Sequence, residues 1–131
     1  FVMKNILRIA RPSNNLNQVA LMYQQGFNFE VLSRFENHGG FDGIILGHPH
    51  SAYHLEFTHH RGTIVDNAPT QDNLLIWYVP NITNNQYLTD KLLNAGFIHV
   101  KSYNPYWDLN GKTFEDCDGY RIVLSLDDWA K

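Results

Sequence analysis

The sequence predicts an α+β chain made of two tandem β-α-β-β-β units, and three observations lead there. The order strand, Pro, helix, Gly, three strands occurs twice along the 131 residues. Within each copy, stretches of period two alternate with one stretch of helical period. The composition, 44% apolar and 18% charged, is that of a folded chain with room for one real core rather than two. A duplication on this scale says more about architecture than any single short motif.

The first copy opens with a strand over Lys4 to Arg11, Leu7 and Ile9 on one face and Arg8 and Ala10 on the other, until Pro12 ends the ladder. Ser13, Asn14 and Asn15 are N-cap candidates for a helix through Gln25 whose apolar stripe is Leu16, Val19, Ala20 and Tyr23. Gly26 stands where a C′ glycine belongs. Phe29 to Phe35 is a second strand, and His38-Gly39-Gly40 turns the chain into a third, Phe41 to Leu46. A turn at Gly47-His48-Pro49-His50-Ser51 then leads into Tyr53-His54-Leu55-Glu56-Phe57-Thr58. There Leu55 and Phe57 alternate with His54, Glu56 and Thr58, assigning one face to a core and the other to something polar.

From His59 to Gln71 no periodicity is visible, and the stretch reads as a linker. The second copy begins with a strand over Asn73 to Val79, closed by Pro80, and a helix from about Asn84 to Asn94 closed by Gly96. Phe97 to Ser102 is the next strand, Asn104 to Asp108 an aromatic loop, and Lys112 to Glu115 pairs with Tyr120 to Leu126 across Asp116-Cys117-Asp118-Gly119. The units therefore cover about 4–60 and 72–131 of one domain, with the linker at about 61–71.

A net charge of -3 gives no electrostatic reason to bind nucleic acid or an anionic membrane, and neither is expected as a partner. The single cysteine, Cys117, excludes an internal disulfide and fits a reducing, cytoplasmic location. No apolar run is long enough to span a bilayer, and Phe1-Val2-Met3 is too short for a secretory signal.

Two stretches carry a family resemblance. After the first helix comes Met22-Tyr23-Gln24-Gln25-Gly26-Phe27-Asn28-Phe29-Glu30-Val31, and the closing hairpin reads Phe114-Glu115-Asp116-Cys117-Asp118-Gly119-Tyr120-Arg121-Ile122-Val123-Leu124. With the duplication, these resemble the vicinal oxygen chelate superfamily of glyoxalase I, extradiol dioxygenases, fosfomycin-resistance and bleomycin-resistance proteins. The hairpin departs from the usual Asp-Pro-Asp-Gly turn by Cys117 in place of proline. The resemblance spans nearly the whole chain and implies a glyoxalase-like cupped mixed sheet.

It also implies a place for a metal, with ligands from the first and last strand of each unit. Those positions fall at Arg8, Glu56, Leu74 and Val123, of which only Glu56 can donate a lone pair. Arg8 would repel a cation. No metal and no other cofactor is therefore expected.

In such a cup, strand alternation directs Arg8, His54, Glu56, Thr58, Tyr78 and Arg121 to the concave side. With Trp107 of the aromatic loop they are the candidate ligand-binding residues; none is assigned as catalytic. Arg8 and Glu56 belong to strands expected to be neighbours and are expected to pair. His54 fits either a ligand contact or a core hydrogen bond, and Trp107 either stacks on a ligand or pins its loop. Histidines 48, 50, 59 and 60 read as loop residues, and Asp116 and Asp118 as turn residues.

Two functions of different kinds follow. One is a metal-independent protein that binds a small, partly aromatic or anionic molecule, resembling the bleomycin-resistance branch. The other is a divergent glyoxalase- or dioxygenase-type enzyme, either metal-dependent or using His54 and Glu56 as acid and base. A homodimer is expected in either case, because this superfamily covers open sheet edges by pairing units.

Overall fold

The computed structural model describes residues 5–129. Lys4, with which the sequence opens the first strand, lies outside them, as do Phe1, Val2 and Met3. The elements run β1 Leu7–Pro12, α1 Leu16–Phe27, β2 Glu30–His38, β3 Phe41–Gly47, β4 Tyr53–His60, β5 Leu74–Tyr78, α2 Ile82–Asn94, β6 Ile98–Val100, α3 Tyr106–Leu109, β7 Gly111–Glu115 and β8 Arg121–Ser125. The class is α+β, in two tandem β-α-β-β-β units that each build a four-stranded mixed sheet. Among the described residues no helix is long and apolar enough to cross a membrane.

The first unit takes the chain up to Gln24 and Asn28–Val65. Its sheet has the order β1-β4-β3-β2, with β1 parallel to β4 and the other pairs antiparallel. Register puts Ile9 beside Leu55 and Arg11 beside Phe57 on one face, where Val19, Ala20 and Tyr23 of α1 are also buried. Tyr23 meets Phe57 with ring centroids 5.1 Å apart. Pro12 extends β1 rather than stopping short of it, because β1 is an edge strand and has no second ladder to break. The turn after β2 is as expected: Gly39 and Gly40 hold φ of 60° and 89°, which a two-residue hairpin turn requires.

On the opposite face, Phe35 of β2 lies across Gly43 of β3. A Cβ built on Gly43 would stand 2.1 Å from the Phe35 ring, so the glycine is there to admit the phenylalanine. Strand β4 runs two residues further than the sequence suggests. His59 and His60 are paired with Asp42 and Phe41 rather than lying in a linker, and His60 stacks on Phe41 at 4.4 Å.

The second unit takes Gln25–Phe27 and the chain from Asp66 onward. Its sheet, β5-β8-β7-β6, repeats the first topology, with β5 parallel to β8. All five residues of β8 are buried. Phe27 stacks on Trp77 at 4.3 Å and sets its edge against Phe97 at 6.4 Å. Gly26 does not end α1. The helix continues to Phe27, and Asn28 takes the left-handed position with φ 57°. Gly26 is needed for space instead, since a Cβ there would stand 2.7 Å from Leu92. The aromatic loop contains a short helix, α3, that four residues without periodicity could not announce.

Candidate functional site

In the first unit, the face away from α1 carries Arg8 beside His54 and Ala10 beside Glu56 in parallel register. Ile45 lies across from Glu56, and Gly43 from Thr58. Four of the predicted site residues, Arg8, His54, Glu56 and Thr58, thus share one face because β1 and β4 are neighbours. One Arg8 guanidinium nitrogen donates to Glu56 Oε1 at 3.4 Å, with side-chain exposures of 47% and 17%. The pair forms as expected, but its cationic half is in water.

His54 answers the open question about its role in an unexpected way. Both ring nitrogens are buried and neither has a hydrogen-bond partner, so the ring has neither the core bond nor an exposed nitrogen. It sits against Gly47, where an added Cβ would come within 3.2 Å of the imidazole.

The other three predicted residues lie in the second unit and are dispersed. Arg121 is spent on structure: Nε donates to Glu115 at 3.0 Å, an NH donates to the Lys101 carbonyl at 3.2 Å, and only 7% of the side chain is exposed. Tyr78 is at the far end of β5 from the Arg121 register position, edge-on to Trp129. Trp107 is half-buried in α3 with its ring against Tyr106, but the loop is fastened by its neighbour. Asp108 accepts from the Ser102 backbone N–H at 3.1 Å and the Ser102 hydroxyl at 2.7 Å, and that hydroxyl also meets Thr113.

The turn residues behave as turn residues. Asp116 accepts from the N–H groups of Asp118 and Tyr120, at 2.9 and 3.0 Å. Burial, then the Asp118 and Asp116 charges, push the Cys117 thiol up to about 12, which makes it a poor nucleophile. Asp42 is held below its usual range by its bonds from Arg61 and from the Asn37 N–H.

Sequence reasoning missed two hollows. A pocket of about 320 Å³ opens between Asn15 at the start of α1 and Arg34, Asp42 and His59 of the sheet. There His59 Nδ1 lies 2.9 Å from the Ser13 carbonyl. A wider hollow of about 500 Å³ is lined by Tyr106, Asp127, Asp128 and Trp129. Its one sequence signal was a tryptophan placed directly after two aspartates.

Residues 7–58 match the YycE-like N-terminal domain and residues 72–125 the YycE-like C-terminal domain. The chain belongs to the YycE-like family. The YycE protein of Bacillus subtilis (strain 168) is 43% identical to it over 118 residues, 90% of this chain and 85% of that protein. A crystal structure of B. subtilis YycE superposes with a TM-score of 0.87 at 39% identity, covering 98% of this chain and 95% of the other. Two further similarities concern fold alone. The fosfomycin-resistance protein FosX of Mesorhizobium loti gives a TM-score of 0.73 at 7% identity, over 98% and 95% of the two chains. Glyoxalase I of Leishmania major gives 0.71 at 16%, over 94% and 86%. With B. subtilis YycE, these neighbours show that the YycE-like chain has the glyoxalase-like fold of the vicinal oxygen chelate superfamily.

The residues of this YycE-like chain do not fit the metal that superfamily implies. At the four positions the resemblance implies for ligands, Arg8 is a cation and Leu74 and Val123 are hydrocarbons, leaving Glu56 by itself against the three or more donors a metal needs. Among the described residues no three His, Cys, Asp or Glu side chains gather elsewhere to replace them.

Proposed function

We propose that the chain is a metal-independent small-molecule-binding protein whose ligand seats on the Arg8–His54–Glu56–Thr58 face of the first unit. The observation that carries this reading is the unfinished hydrogen bonding there. His54 has two sealed nitrogens without partners, beside a guanidinium that is half in water and makes one long bond. A buried polar group without a partner costs about 1–3 kcal/mol, and a ligand that opens the face and supplies the partner recovers that cost. A small anionic, partly aromatic molecule suits it, with the anion on Arg8 and an acceptor or donor on His54. In needing no metal this resembles the bleomycin-resistance branch, without importing that branch's ligand. The competing reading, acid–base catalysis by His54 and Glu56, needs the same opening of the face and, in addition, a Glu56 carboxylate freed from its contact with Arg8.

The test pairs stability with binding. Benzoate titrated into the protein should raise Tm, by about 2.7 kcal/mol of added stability at a hundredfold excess over Kd. Arg8→Leu should abolish the shift. His54→Phe should stabilise the free protein and yet weaken the response to benzoate. A benzoate response indifferent to Arg8→Leu, or one tightly bound transition metal per chain that is lost with Glu56→Gln, overturns the proposal.

A further inference from the structure

From the hollow beyond β8 we infer a second site, for a protonated or quaternary amine, that uses only residues of the second unit. Three features of one place converge on that ligand. The walls are aromatic and wet: the Trp129 side is 76% exposed and Tyr106 is 56% exposed. Water is a poor partner for so much ring surface, whereas the face of an indole or phenol attracts a cation. The ring orientation is set from behind, where Tyr78 stands at 88° to Trp129 with centroids 6.1 Å apart. Tyr78 is not part of the lining, so this edge contact positions the indole and leaves the cation-binding surface to Trp129 and Tyr106.

Charge then chooses between a cation and a neutral apolar guest. Asp127 and Asp128 complete the lining. Asp127 is anchored by the Asn110 amide at 2.6 Å, and its own N–H is held by the Ser125 hydroxyl at 3.1 Å. An amide orients a carboxylate without cancelling its charge, so a negative field stands at the mouth of an aromatic notch. An anionic ligand is repelled there, and a neutral one gains nothing from Asp127. At about 500 Å³ the hollow exceeds what a single ammonium head group needs, leaving room for the body of an amine.

Choline and its neutral carbon isostere 3,3-dimethyl-1-butanol separate these terms, read by NMR at the Trp129 indole N–H, with sodium chloride matched for ionic strength. That signal is assigned by its disappearance in Trp129→Phe. Choline should shift it saturably while the isostere at equal concentration leaves it in place. Asp127→Asn, which keeps an acceptor for Asn110, should weaken choline about tenfold, and Trp129→Ala should remove binding followed at Tyr106. Unchanged far-UV circular dichroism and Tm in both variants show that the fold survives. An equal response to the isostere, no more response than to sodium chloride, or binding undiminished in Trp129→Ala each overturns the site.

Discussion

At Arg8 and Glu56 a single 3.4 Å contact joins a half-exposed guanidinium to a largely covered carboxylate. Had both ends been desolvated, Arg8→Leu would leave a stranded charge costing about 3–5 kcal/mol. With one end in water, a double-mutant cycle of Arg8→Leu and Glu56→Leu in urea unfolding should give a coupling of about 1 kcal/mol or less. A coupling near 3 kcal/mol would mean the pair closes in solution. Cys117 makes a pH prediction. Its folded pKa, about 12, lies above the unfolded value of 9.0, so the native state keeps a proton that the unfolded chain has lost. Its contribution is intact below pH 9 and is lost as pH rises toward 12. Stability should therefore fall over that window in the wild type and fall less in Cys117→Ala. The pairing of Arg8 with Glu56 was legible in the sequence, since the repeat makes β1 and β4 neighbours and alternation gives the face. The sealing of His54 was not, because alternation names a face without saying what covers it.

Among the elements, those with a strong period were legible and those held by contacts were not. The eight strands and two long helices all follow from spacing, Pro and Gly. The end of α1 moved from Gln25 to Phe27, because Gly26 serves close packing against Leu92, which no local signal distinguishes from a cap. The extension of β4 through His59 and His60 depends on β3 lying alongside, and α3 on Asp108 reaching Ser102. The Phe35–Gly43 crossing between β2 and β3 gives this scale its prediction. Gly43→Ala forces a methyl into a ring within 2.1 Å and should cost about 1–3 kcal/mol by chemical denaturation. Pairing it with Phe35→Leu should return part of that loss, and a neutral Gly43→Ala would show that the ring swings aside freely.

The duplication itself was the most legible feature of the whole molecule, since two copies of one topology repeat the same order of signals. Each sheet has two edges, and apolar side chains stand exposed on them, Leu7 on β1 at 60% and Ile98 on β6 at 65%. We expect a homodimer that covers such edges, with sedimentation at micromolar concentration giving twice the 15.2 kDa chain mass. A monomer alone would refute it. The ligand of the proposed face was not legible at any scale, because the chemistry of a face is shared by many ligands.

Asn14 ties its own side chain to Val65 in both directions, Nδ2 to the carbonyl at 2.7 Å and Oδ1 from the N–H at 2.9 Å, as a neighbouring strand would. The chain just before α1 thereby clasps the start of the stretch that leads to the second unit. That stretch has little regular structure, yet the Val65 amide should exchange its proton for deuterium slowly. Asn14→Ala should speed the exchange and expose the peptide bonds around Val65 to trypsin and other proteases, with Arg61 the first cleavage point to watch. The clasp thus decides whether the residues that follow β4 stay fastened to the first unit or peel away from it.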